Sequence, residues 1–423
     1  MNILLLIITL LGAPLFAVIA ASAMFGFYSD DIDLAVIAIE IYRLAETPVL
    51  LAIPLFTFAG YILGASQAPH RLVRLTNALL GWLPGGLAIV AIVACAFFTA
   101  FTGASGVTIV ALGALLYPAL KEAGYREHFN LGLITSSGSL GLLFAPSLPL
   151  ILYGVVVQQM GMGLTISISD LFLAGILPGL LMMFLLSTYS MLQKRQPRLI
   201  SSKASKEEIV KILHESAWEL PLPFVVLGGI YSGLFAISEA AAVTALYVII
   251  VELFIKREIP MRDLPRIIRE SMILVGGVLI ILGVSLALTN YIIDSGLPTR
   301  LFDAIRAHID SKWTFLILLN VFLLALGMIL DIFSALVIII PIILPIAINY
   351  GIHPVHLGIV FLANMQIGYF TPPVGMNLFI ASYRFGRPVI DLYRATIPFF
   401  FILLVAVLII TYWPDLSLVL LDQ

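Results

Sequence analysis

The stretch IGYFTPPVGMNLF, residues 367–379, lies inside an apolar run long enough to cross a membrane, yet sets Thr371, Pro372, Pro373 and Gly375 almost side by side. Proline in an α-helix removes a backbone N–H and clashes with the preceding turn. Hydrocarbon offers no water to the groups so released. Irregular backbone at membrane depth is therefore tolerated only where protein buries it or it lines a watery cavity. The stretch predicts a span broken at mid-depth, beside a site.

The rest of the chain fixes the solvent. Of 423 residues, 61% are hydrophobic and 11% charged, and the mean hydropathy is +1.12. Soluble domains carry about 25% charge. The chain reads as an all-α polytopic membrane protein. No basic cluster with interleaved aromatics points to nucleic acid. The single cysteine, Cys95, excludes an internal disulfide framework. The N-terminus has no basic n-region and is expected to be a retained first span rather than a signal peptide.

Hydropathy predicts spans near 3–24, 47–66, 129–158, 171–192, 220–236, 239–256, 272–293, 356–382 and 396–413. Two further regions each hold a pair of short runs: 86–101 and 107–120 around TGASG, and 313–330 and 332–348 around Asp331. These runs are marginal for a hydrocarbon core that needs roughly 20 residues. They predict two re-entrant helical hairpins, with four thin spans as the alternative. With a cytoplasmic N-terminus, 18 of the 22 Lys and Arg residues face the cytoplasm, leaving Arg43, Arg300, Arg306 and Lys312 outside. That is the positive-inside pattern. The two hairpins then enter from opposite faces, as in an inverted repeat.

The sequence repeats accordingly. YPALKEAGY (117–125) lies over LPIAINYGI (344–352), pairing Pro118 with Pro345 and Gly124 with Gly351. Gly132 pairs with Gly358, Pro146 with Pro372, and Pro69 with Pro298. SSGSLGLLFAPS and NMQIGYFTPPVG thus hold the same place in two halves, and both break a span. Paired broken helices in secondary transporters supply carbonyls to cations and helix N-termini to anionic substrates.

The chain also resembles the large membrane subunit of tripartite ATP-independent periplasmic (TRAP) transporters. The resemblance rests on LAIPLFTFAGYIL (51–63), TGASGVTIVALGALLYPALKEAGY (102–125), DLFLAGILPGLL (170–181), GGIYSGLFAISEAAAVTALY (228–247) and HPVHLGIVFLANMQIGYFTPPVGMNLF (353–379). It implies an elevator-type secondary transporter importing an organic anion, a carboxylate or sulfonate, with sodium as the coupling ion and no other cofactor. It implies a bacterial inner-membrane location and two partners: a small four-helix membrane subunit, expected as a separate chain, and a periplasmic substrate-binding protein. The expected division is scaffold at 1–85, 161–312 and 383–423, with transport halves at 86–160 and 313–382. TGASG departs from the family's SGS turn, and Pro146-Ser147 from its double proline, so substrate identity does not carry over.

Oxygen-rich positions at the tips and breaks form two candidate sodium sites. The first combines Thr102, Gly103, Ser105, Gly106, Ser136, Ser137 and Ser139; the second combines Gly327, Asp331, Ser334, Asn364, Thr371 and Gly375. Ser105, Ser147 and Asn377 are the expected donors to the anion. Membrane serines also bond back to their own helices, and Asp331 equally suits a helix cap. Glu239 reads as an N-terminal helix residue, Glu252 as an i,i+4 partner of Lys256, and His353 and His356 as turn residues. Segments 70–82, 201–217, 260–271 and 297–310 read as amphipathic surface helices. HExxH, GxSxG and P-loop motifs are absent. The rival function is a stand-alone ion-coupled dicarboxylate- or citrate-type carrier without a binding protein.

Overall fold

Apolar runs without water must satisfy their backbone internally, and helices do so. A computed structural model describes residues 12–162, 166–193 and 206–421, without the side chains of Lys206 and Glu208, and every regular element in it is helical. The elements are α1 (Leu15–Ser29), α2 (Ala35–Ala45), α3 (Ala52–Ala65), α4 (Ala68–Leu80), α5 (Gly86–Thr102), α6 (Ser105–Glu122), α7 (Glu127–Ser137), α8 (Leu148–Gln159), α9 (Ile168–Leu192) and α10 (Lys206–Glu215). They continue as α11 (Pro221–Tyr231), α12 (Ile237–Ile249), α13 (Leu264–Asp294), α14 (Leu297–Arg306), α15 (Lys312–Ile329), α16 (Ile332–Asn349), α17 (Pro354–Gly368), α18 (Met376–Phe385), α19 (Val389–Tyr412) and α20 (Asp415–Leu418). Among the described residues seven helices are long and apolar enough to cross a membrane.

The repeat is visible in the order of elements. Helices α4 to α8 are matched by α14 to α18, and α6 and α16 both run 18 residues. Gly124 and Gly351 end those two helices with φ of 82° and 71°. Only glycine adopts this left-handed backbone freely, which is why the two halves keep it. The first break bends α7 and its 3-10 extension against α8 by 41°. The second separates α17 from α18 over Tyr369–Gly375.

Several expectations change. The span expected at 220–236 is an 11-residue helix, α11, too short to cross alone. The surface helix expected at 260–271 is not separate. Its residues from Leu264 onward open the 31-residue α13, because the apolar stripe continues without a breaker. Helix α2 lies in a stretch given no element. Of the first expected span, residues 3–11 lie outside the described residues, as do Lys194, Arg195, Arg198 and Lys203.

Polar contacts at the helix ends fall into two groups that follow the two faces of the charge count. On one face Arg74 pairs with Glu215, Lys256 reaches the Glu215 carbonyl at 3.0 Å, and Tyr117 and Arg387 both reach Glu127. These are the segments the charge count assigned to the cytoplasm, here the basic face. On the other, Gln159 meets Thr47 at 3.4 Å, Tyr153 meets the Pro354 carbonyl, and Lys312 meets the Gly351 carbonyl at 3.0 Å. On the charge count's assignment, the open ends of the α5–α6 pair belong to the basic face and those of the α15–α16 pair to the opposite one.

Candidate functional site

The turns of both helix pairs and the second break meet in one cavity of about 930 Å³. Ala104 and Ser105 line it from the first turn, Asp331 and Phe333 from the second, and Tyr369 and Met376 from the break. Across from them α13 supplies a largely apolar wall from Arg266 to Ile281. At 1.5 Å per residue that wall is roughly 22 Å deep. Arg266 and Glu270, on the segment the charge count assigned to the cytoplasm, line one end of the cavity.

Gly103 makes the first turn. Its φ is 65°, and a Cβ there would lie 2.4 Å from Leu148 Cδ1. Ser105 then starts α6 with its hydroxyl turned inward. Its Oγ donates to Asn377 Oδ1 at 2.7 Å, while Asn377 Nδ2 donates to the Thr135 carbonyl at 3.3 Å. The Asn377 backbone N–H reaches the Tyr369 carbonyl at 2.8 Å, and the Tyr369 hydroxyl accepts the Ile332 N–H at 2.7 Å. One hydrogen-bonded path therefore links the first turn, the second break and the second turn.

Asp331 caps α16. Its Oδ1 accepts the N–H groups of Phe333 and Ser334, both at 3.0 Å, and its Oδ2 accepts the Ser334 hydroxyl. The carboxylate borders the cavity and keeps lone pairs available. Gly375, with φ of 44°, donates its N–H to the Met328 carbonyl at 3.0 Å, and Thr371 Oγ1 bonds back to Ile367 at 2.7 Å. Gly327 sits where α15 crosses α17: a Cβ on it would lie 3.1 Å from Gly368 Cα.

The remaining expected residues scatter. Thr102 is buried with its hydroxyl 3.4 Å from the Ala104 carbonyl, and Gly106 lines the cavity against Ile380. Ser136 bonds back to Gly132 at 2.8 Å. Ser139 bridges to the Gln366 carbonyl at 3.1 Å, joining the two halves. Ser137 is buried with an unpartnered hydroxyl. Ser147 donates to the Leu142 carbonyl, closing the first break rather than lining the cavity. Asn364 turns to Asn320 at 2.6 Å, and Thr411 joins the same oxygen at 3.1 Å. It is not among the residues lining the cavity with Asp331.

Sequence reasoning missed Thr99 and Thr108, which bond each other at 2.5 Å, Thr99 also reaching the Gly138 carbonyl at 2.8 Å. Hydroxyls flanking TGASG in an apolar run were the available signal. It missed Tyr369 as well. Glu239 caps α12 through the Ala236 N–H at 2.8 Å, as expected of an N-terminal residue. His356 is buried against Ser417 and the Thr411 carbonyl, each at 3.3 Å. Glu252 does not pair with Lys256. Lys256 reaches Glu219 at 2.7 Å instead, and Glu252 turns to Arg71. The local spacing permits the pair, but a distant carboxylate outcompetes it.

Chemically, the N-termini of α6, α16 and α18 open on the cavity through Ser105, Ile332 and Met376. Helix N-termini favour anions. Carbonyls at the breaks and the Asp331 carboxylate favour hard cations.

Residues 2–416 match the family described as "Tripartite ATP-independent periplasmic transporter, DctM component". The C4-dicarboxylate TRAP transporter large permease protein DctM of Pseudomonas aeruginosa is 34% identical, covering 91% of this chain and 88% of that one. The ectoine/5-hydroxyectoine TRAP transporter large permease protein UehC of Ruegeria pomeroyi is 30% identical over 99% of this chain and 97% of its own. The isethionate TRAP transporter permease protein DctMQ of Oleidesulfovibrio alaskensis is 34% identical over 87% of this chain but 57% of its own length. Among solved structures, the Alcanivorax borkumensis YdaH transporter shares the fold, with a TM-score of 0.62, 13% identity, and coverage of 87% and 85%.

Proposed function

Because this chain belongs to the DctM component family of tripartite ATP-independent periplasmic transporters, we propose that it carries a small organic anion across the inner membrane by sodium-coupled, elevator-type alternating access. The members it matches are permease components, not enzymes, and its apolar helices fit a multi-pass protein of that membrane.

One observation carries the reading. Two helix pairs whose open ends lie on opposite faces present their turns to a single cavity. Full spans would carry those turns to opposite surfaces, so the shared cavity supports reading the pairs as re-entrant hairpins. Asp331 and the carbonyls of the second break are the cation side of the site. Ser105, Asn377 and the three helix N-termini are the anion side. Residues 86–160 and 313–382 form the moving part, braced by 1–85, 161–312 and 383–423. The substrate belongs to the carboxylate and sulfonate class; the named relatives are described for C4-dicarboxylates, ectoine and isethionate.

The chain works with a small membrane subunit and a periplasmic binding protein. Reconstituted into liposomes with an inward sodium gradient, the chain alone should show little uptake. Uptake should appear when both partners are supplied. Efficient uptake by the chain alone would overturn the tripartite reading in favour of a stand-alone carrier.

A further inference from the structure

A second polar centre lies on the basic face, away from the cavity. Arg71 of α4 donates through Nη1 to Glu258, and through Nη2 to Glu219 at 2.5 Å and Glu252 at 3.5 Å. Lys256 donates to Glu219 at 2.7 Å. The Gln67 N–H donates to Glu258 Oε2 at 2.7 Å. The Arg74–Glu215 pair flanks the group, and Tyr247 nearby donates to the Trp218 carbonyl at 2.7 Å. Two cations thus face three carboxylates.

The Glu252 side chain is 0% exposed, Arg71 10%, Lys256 12%, Glu219 17% and Glu258 19%. A cavity of about 170 Å³ beside Arg71 and Glu219 is walled by Phe97, Phe98 and Phe101, so that side offers little polar solvation. Helix α12 runs into a π-turn over Ile250–Ile255, which carries Glu252 into the group. Such turns recur at functional sites.

Glu252 Oε2 and Glu219 Oε2 are both buried without a hydrogen-bond partner. Arg71 Nη2 touches both carboxylates, so they are neighbours. Arg71 Nε is also unpartnered, but it belongs to a guanidinium whose charge is already counted. Adjacent buried carboxylates cannot both ionise at low cost, and a buried charge in excess neutralises instead. The bonds from Arg71 and the Gln67 N–H outweigh burial at Glu258 and hold its carboxyl below the usual range. Glu258 is therefore the member that keeps its charge.

We propose that Glu252 and Glu219 hold one proton between them, making this cluster a proton-binding site that fastens helix α4 to the α10–α12 region on the basic face. The proton neutralises one of the two carboxylates whose Oε2 atoms are buried without a partner, and leaves two carboxylates against two cations. The site does not depend on the transport reading.

The sign of the pH dependence follows. An unfolded glutamate releases its proton near pH 4.3, whereas the folded site retains it. The site's own contribution to stability is therefore full below that pH and is lost as pH rises through the site's own pKa.

The full chain, purified with any subunit that accompanies it and placed in nanodiscs, tests this by infrared difference spectroscopy and melting. Wild type should show a protonated-carboxyl band that disappears towards alkaline pH, and a melting temperature that falls with it. Glu252→Gln, whose amide supplies the donor permanently, should lack the band and lose that alkaline fall in melting temperature. Glu219→Gln balances the charges and should also lose the band while remaining folded. A band unchanged in either variant would overturn the proposal. So would parallel melting profiles, failure of Glu252→Gln to accumulate, or melting that follows potassium at fixed pH.

Discussion

The hydroxyl of Ser105 and the amide oxygen of Asn377 meet at 2.7 Å across 272 residues of chain. Ser105 opens the second arm of the first hairpin, and Asn377 opens the helix after the second break. The bond ties the two halves of the repeat at the cavity wall.

Ser105→Ala should leave Asn377 Oδ1 buried and unpaired, a loss of about 1–3 kcal/mol. Substrate affinity in the reconstituted three-part system should fall by about tenfold, that is by about 1.4 kcal/mol. Unchanged half-saturation by substrate would remove Ser105 from the anion side.

Asp331→Asn retains an acceptor for the Phe333 and Ser334 N–H groups but removes the charge. Expression and assembly should stay near wild type, while the sodium concentration for half-maximal uptake rises. Asp331→Ala also loses the cap, destabilising the protein by about 0.5–2 kcal/mol. Uptake by the Asn variant with unaltered sodium dependence would leave Asp331 as a cap alone.

Ala104 and Phe333 come from two separate helix pairs, proposed to be entered from opposite faces, and border one cavity. In a Cys95→Ser background, single cysteines at both positions should react with an impermeant thiol reagent from the basic face. Both should become reactive from the other side when the transporter turns over. Reaction of the two positions from opposite sides in one state would contradict a shared cavity.

Gly368 and Gly327 bring α17 and α15 together, and a Cβ on Gly368 would lie 2.5 Å from the Gly327 Cα. Gly368→Ala should destabilise by about 1–3 kcal/mol, read as a lowered melting temperature together with reduced uptake. Gly276→Ala, on α13 where a Cβ meets nothing within 4 Å, is the control and should melt no lower than wild type.

The sequence by itself determined the solvent, the two breaks and the repeat. Each is written locally or in composition. Prolines stop helices wherever they stand, basic residues mark a face by number, and Gly124 and Gly351 mark equivalent turns because only glycine tolerates their backbone. What tertiary structure decided is which way each polar side chain points. Ser147, beside a break, bonds the carbonyl of Leu142. Asn364, on a broken span, faces Asn320 and Thr411. Glu252 leaves Lys256, four residues away, for Arg71, far along the chain. A helix in hydrocarbon satisfies its backbone whatever its rotation, so apolar periodicity hardly constrains that rotation. Packing against distant helices sets it, and with it the membership of the site.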